Sequence, residues 1–176
     1  QSYVGGRYML TLDTRNRMDL SSVNRISADG QPYDLLHTDG QERGHSNPSH
    51  LINVYYSGTV NKFKINTDLD YLRSTTETDN AYDETSQTGR SRTFSAVSLV
   101  NNRLLSLRVS VGHKLWRGDA TVGVEYVHTR RNDDYTSTLG EMPTSQSLLR
   151  ETQRAAFADY SVLTSVGLFG LGIRAE

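Results

Sequence analysis

The sequence predicts an all-β chain: an antiparallel up-and-down meander of about eight strands, forming part of a transmembrane β-barrel. Three observations carry this. Apolar and polar residues alternate with period two through most of the chain, giving strands with two unlike faces. Short and long connections alternate, as in barrels with short turns at one rim and long loops at the other. Most strand candidates offer the ~9–11 residues that a tilted strand needs to cross a bilayer, or a little more.

The first strand sets Val4, Tyr8, Leu10 and Leu12 against Arg7, Thr11 and Asp13. A short turn is expected near 13–17. Residues 17–28 alternate poorly and are taken as the second strand. A long loop is expected near 29–50, on the turn formers Asp29-Gly30, Asp39-Gly40, Gly44 and Asn47-Pro48. The third strand carries Ile52, Val54, Tyr56 and Val60 on one side and turns near 60–62. In the fourth, Phe63, Ile65, Leu69 and Tyr71 oppose Lys62, Lys64, Asn66, Asp68 and Asp70. A second long loop near 74–98 is dense in Thr, Ser, Asp and Glu at its start.

The fifth strand alternates most cleanly. Leu105, Leu107, Val109, Val111 and Leu115 oppose Ser106, Arg108, Ser110, Gly112 and Lys114. After a short turn near 116–119, Val122, Val124 and Tyr126 share a face against Thr121, Gly123, Glu125, Thr129 and Arg131. A third long loop is expected near 133–150. The seventh strand groups Ala156, Ala158, Tyr160 and Val162. A short turn near 163–165 leads to the eighth, with Phe169, Leu171, Ile173 and Ala175. Phe63 and Trp116 flank short turns, while Tyr71, Tyr126 and Tyr135 lie toward the long loops, as an aromatic girdle requires. No helix of normal length is predicted, and residues 1–176 read as a single barrel segment.

Composition narrows the function classes. The chain has 176 residues, is 35% hydrophobic, and holds 10 Tyr against 4 Phe and 1 Trp. That suits a sheet with one apolar and one wet face better than a large two-sided core. With 19 Lys and Arg against 20 Asp and Glu, the net charge is −1. This balance argues against a nucleic-acid binder and against a polybasic membrane-surface module. Cys is 0, which excludes disulfides, thiolate zinc sites and cysteine nucleophiles. No run approaches the ~20 apolar residues of a transmembrane helix. No basic segment followed by an apolar one marks a signal peptide at the start.

Candidate chemistry is sparse. His37, Asp39, Glu42, His45 and His50 are metal-ligating types within one expected loop, but no pair has a helical spacing to fix it. A polar exposed loop is therefore the favoured reading of them. Ser46 beside His45 lacks a nucleophile elbow. Gly167, Gly170 and Gly172 suit a curved strand rather than a phosphate loop. Asp68 and Asp70 lack the glycine and distal Glu of a calcium loop. His113 and His128 fall at strand ends. Arg108, Lys114, Glu125 and Arg131 share the polar face and would line a lumen, or simply be solvated. Asp133, Asp134 and Tyr135 sit where a strand meets a loop. The expectation is therefore no catalytic, metal or cofactor site and no enzyme activity, with ligand-binding residues unassigned.

Three stretches carry a family resemblance. They are HLINVYYSG at 50–58 with FKINTDLDYL at 63–72, the run from Asn101 through Leu115-Trp116-Arg117-Gly118 to EYVHTRRNDDY at 125–135, and AAFADY at 155–160 with GLGIR at 170–174. Together with Ala28-Asp29-Gly30 they resemble the TonB-dependent-receptor-like outer-membrane β-barrel family. The resemblance implies a portion of a larger barrel in the outer membrane of a Gram-negative bacterium. It implies uptake of a bulky nutrient (a siderophore, a cobalamin or a glycan) with TonB-type energy coupling. The implied partners are the lipid bilayer, the remaining barrel strands and plug, and the coupling protein. The chain shows no plug-like region, no coupling box and no terminal aromatic, and so reads as a barrel fragment whose edge strands would self-associate. The alternatives are a complete small outer-membrane barrel with a structural or adhesive role, and a soluble β-sandwich that binds glycans.

Overall fold

Consecutive antiparallel pairing organises the chain. A computed structural model describes residues 2–12, 15–29, 31–140 and 144–176, with all side chains there except those of Ala28, Pro32 and Ser46. Its strands are β1 (Ser2–Thr11), β2 (Asn16–Ala28), β3 (Gln31–Val60), β4 (Phe63–Ser86), β5 (Ser91–Leu115), β6 (Gly118–Ser137), β7 (Ser145–Thr164) and β8 (Gly167–Ala175). They form one sheet, and from β3 onward each strand pairs with the next, so the fold is all-β and an antiparallel meander. Among the described residues β1 and β8 share no ladder, so the sheet is open.

The start of the chain differs from the sequence expectation. No reversal separates β1 from β2, because both pair antiparallel with β3 and run in the same direction. Thr11 faces Ser49 and Asn16 faces Gly44, so the two ladders are collinear. Of the turn expected near 13–17, Asp13 and Thr14 lie outside the described residues. The break lies opposite Pro48, which has no N–H to give a ladder. The β3–β4 register also shifts there, between Asn47 and His50.

The three expected long loops are largely strand. β3 covers 31–60, β4 continues to Ser86, β5 starts at Ser91, β6 reaches Ser137 and β7 starts at Ser145. Within the expected 133–150 loop, residues 141–143 lie outside the described residues. The cause is physical. Period-two alternation marks a strand only when its faces differ, and these extensions have two wet faces. Thr and Ser still fit a pleated ladder, and polar pairs join across it. Thr93 Oγ1 donates to Asp83 at 2.7 Å, Thr75 Oγ1 donates to Asn101 at 2.9 Å, and Arg92 pairs with Glu84. Tyr82 stacks on Phe94 with centroids 5.0 Å apart.

At the opposite end, tight hairpins close between Val60 and Phe63, Leu115 and Gly118, and Thr164 and Gly167. Asn61 (φ 56°) and Trp116 (φ 55°) take the left-handed conformation that matches two-residue turns to strand twist.

The register collects the apolar alternants on one face, since directly opposite residues in an antiparallel pair point the same way. One row across β3–β8 is Gly58, Ile65, Val111, Val122, Ala158 and Ile173. Another, across β3–β7, is Val54, Leu69, Leu107, Tyr126 and Arg154. No second layer covers this face among the described residues. Among the described residues the buried apolar side chains are only Ala96 and Ala155, both on the other face, while Ile173 on this one is 72% exposed.

The β4–β5 turn is tethered to β3 by a carboxylate. Asp34 accepts hydrogen bonds from the Ser86 hydroxyl, from the Leu35 amide at 2.8 Å and from Thr88 Oγ1 at 3.3 Å. The Ser86 bond, helped by the Leu35 amide and opposed by desolvation, holds the Asp34 carboxyl below its ordinary range. A depressed carboxyl pKa adds stability above the unfolded value and loses it as pH falls through the folded one. Amide protection over residues 86–90, measured against the intrinsic exchange rate at each pH, should therefore fall once pH drops below about 3.9. Asp34→Asn should remove that pH dependence.

Candidate functional site

The polar face behind the apolar band holds a connected charged patch. Arg108 on β5 stands opposite Asp68 on β4 and Glu125 on β6. Arg108 Nε lies 3.2 Å from Glu125 Oε1, and the second Glu125 oxygen accepts from Arg174 on β8. Arg174 Nε also donates to Glu176 at 2.6 Å. The Glu125 side chain is only 19% exposed, so two guanidiniums neutralise a carboxylate that is largely out of water. The Arg108 guanidinium also lies over the Phe157 ring, 4.9 Å from its centroid.

Phe157 holds this position because Gly123, directly opposite on β6, has no side chain. A Cβ at Gly123 would run into the ring. Toward β3, Asn53 Nδ2 donates to Asp70 at 2.8 Å and Ser57 donates to Asn66 at 2.7 Å. The polar face is thus braced across strands at several levels.

Near the tight hairpins, Lys62, Lys64, Lys114 and Asp119 line a cleft of about 730 Å³. Three ammonium groups against one carboxylate favour an anionic occupant. At the far end, Asp19, Asp39 and Asp83 border a second cleft of about 520 Å³. There the Gln41 amide, and then the Arg17 guanidinium, lower the Asp19 pKa. Gln41 Nε2 donates to Asp19 at 3.1 Å.

The metal-ligating types flagged by sequence spread along β3 rather than converging. His37 contacts Asp39 at 3.2 Å, and His45 lies 3.9 Å from Asp79. Glu42 has the opposite strand parity, and His50 lies beyond the register shift, bonded to the Tyr8 hydroxyl at 2.7 Å. Among the described residues no group of three or more such side chains gathers. The Ser46 side chain lies outside the described residues. Asp68 and Asp70 belong to the polar face of β4.

His113 stacks on Phe63 and donates from Nδ1 to the Lys62 carbonyl at 3.0 Å, closing the rim. His128 Nδ1 bonds Thr152 Oγ1 at 2.9 Å. Lys114 faces Asp119 across the β5–β6 hairpin. Arg131 and Asp133 pair at 2.8 Å, Asn132 donates to Asp134 at 2.7 Å, and Tyr135 continues β6, so these residues brace a strand instead of opening a loop. Gly167, Gly170 and Gly172 lie on β8, with φ +153° at Gly167 beside the hairpin. Sequence reading missed Arg174 and Phe157. Register alone joins them to Arg108 and Glu125.

No protein-family model matches the chain, and no curated protein matches it. Solved structures overlap it in part, among them two from Gram-negative bacteria. One is the ferric yersiniabactin uptake receptor FyuA from Yersinia pestis, at TM-score 0.40 and 16% identity, over 78% of this chain and 28% of the receptor. The other is the translocator domain of the autotransporter NalP from Neisseria meningitidis, at TM-score 0.30 and 14% identity, over 91% of this chain and 65% of that one. The chain thus spans about a quarter of the first and less than two thirds of the second. At these scores neither overlap assigns a function.

The Gly123–Phe157–Arg108 contact is testable. Gly123→Val should destabilise the sheet by about 1–3 kcal/mol, the usual cost of forcing atoms into an occupied site. Adding Phe157→Ala should recover part of that loss. Denaturant midpoints for the two single variants and the double variant measure the coupling.

Proposed function

We propose that this chain is wall of an outer-membrane β-barrel, and that the barrel is a receptor or transporter rather than an enzyme. On this reading the apolar face meets lipid and the charged face lines the lumen. The carrying observation is the two-faced band between the tight hairpins and the row containing Tyr71. On β4 it runs from Phe63 to Tyr71, close to the ~9–11 residues that cross a bilayer. Phe63, Tyr160, Phe169 and Trp116 mark its hairpin border, and Tyr8, Tyr71 and Tyr126 lie at or near the other. Amphipathic rings favour those depths. The strands then continue outward, β3 reaching roughly 100 Å at ~3.3 Å per residue.

A soluble sandwich would need a second sheet over the apolar face, whereas all eight strands lie in one. The finer reading is uptake of a bulky nutrient, a siderophore, cobalamin or glycan, with TonB-type coupling. Its support is the sequence resemblance and a polar face rich in ion pairs and hydrogen-bonding groups. The bilayer, further barrel strands with a plug, and the coupling protein would be its partners.

Cell fractionation tests the location, with the outer-membrane fraction expected to hold the protein. Paired substitutions test the faces. Val109→Arg, in mid-band on the apolar face, should cost about 2–4 kcal/mol in refolding from denaturant into vesicles. Its neighbour Ser110→Arg, on the polar face, should cost far less. Equal costs, or a protein found in the soluble fraction, would overturn the reading.

A further inference from the structure

Just beyond the apolar band the register aligns four cations. Arg73 on β4 faces Arg103 on β5, Arg103 faces Arg130 on β6, and Arg130 faces Arg150 on β7. The row immediately hairpin-ward is Ile52, Tyr71, Leu105, His128 and Thr152. The arginines therefore sit one step outside the band on its apolar, lipid-facing side. At ~4.8 Å between strands they span roughly 14 Å. All four are exposed, and none has a hydrogen bond or ion pair among the described residues.

Like charges directly opposite each other weaken a ladder. Four in succession point to an anion that compensates them. The carboxylates loop-ward on this face do not: Glu77 and Asp134 stand two rows further out, and Asp134 already accepts from Asn132. Arg103 and Arg130 also line a cleft of about 270 Å³ with Asn101 and Asn132. Guanidinium forks flanked by neutral amides suit phosphate oxygens, which they bind in bidentate fashion.

We infer that the Arg73–Arg103–Arg130–Arg150 row binds the phosphate groups of anionic lipids, in the leaflet on the side of the strand extensions. This rests on the barrel-wall reading, which puts that side of the sheet in lipid. The depth is right, because guanidiniums at the end of an apolar span reach the headgroup layer. A free phosphate would meet the same side chains but lacks acyl chains to lie on Leu105 and Tyr71 below them.

The test uses the intact protein that carries this chain, purified in neutral detergent and studied by native mass spectrometry. The probes are diphosphoryl lipid A, phosphatidylcholine and inorganic phosphate. Wild type should retain lipid A, and Arg103→Gln/Arg130→Gln should weaken retention about ten- to thirty-fold, as expected for two basic residues near an anionic surface. The Arg103→Lys/Arg130→Lys variant should fall between them. Phosphatidylcholine should bind both forms alike, and a tenfold excess of inorganic phosphate should not displace lipid A. Equal lipid A retention in wild type and the Gln variant would overturn the inference, and so would displacement by inorganic phosphate. A protein absent from the outer-membrane fraction would instead overturn the barrel reading on which it rests. A protein present there with unchanged lipid retention would sink the arginine row alone.

Discussion

Everything in this structure hangs on the antiparallel backbone ladder and the register it locks. Among the described residues the sheet has no packed interior to speak of, so burial is not what selects one arrangement. A one-residue slip between two strands would send each apolar side chain to the charged face. The tight hairpins at Asn61, Trp116 and Gly167 fix that register from one end. The ion pairs around Glu125 and the bonds from Asn53 and Ser57 reinforce it within the band.

Legibility in the sequence followed the contrast between faces. In the band, Leu105 to Val111 and Val122 to Tyr126 alternate because one face of the sheet is apolar and the other polar. Any reading of period two finds them. In the extensions, Thr75 to Ser86 and Gln31 to Asn47 carry polar groups on both sides. A strand and a solvated loop then have the same composition, and the strands passed for loops. Asp13-Thr14-Arg15 passed for a reversal because its residues favour turns. The deciding fact was a proline 33 positions on from Arg15, across the ladder at Pro48.

The charged groups divide in the same way. Arg108 and Glu125 could be placed on one face from their own strands alone. Their link to Arg174 and Phe157 depends on strands still to come in the chain. The arginine row is the extreme case, since its four members lie 20 to 30 residues apart in sequence and nothing local relates them. Only pairing of four strands in fixed register makes them neighbours.

The meander itself sets the order in which such a wall can assemble. Each strand from β3 to β8 pairs with the one made just before it, so each ladder is a hairpin whose pairs run from a few residues apart at the turn to 50 apart, as for Phe63 and His113, at the other end. Loop-closure entropy rises with the length of chain enclosed, so a hairpin closed by two residues nucleates easily and zips outward. In the β3–β4 and β5–β6 hairpins the long extensions pair last, after the band has set their alignment, whereas β4–β5, which turns between Ser86 and Ser91, pairs its extension first. β1 is the exception. Its Ser2 meets Gly58, a closure of 56 residues, although β2 and β3 can first zip together from Asp29. Closing neighbouring hairpins one after another keeps unpaired, aggregation-prone edges short-lived, a kinetic safeguard for a sheet with an uncovered apolar face.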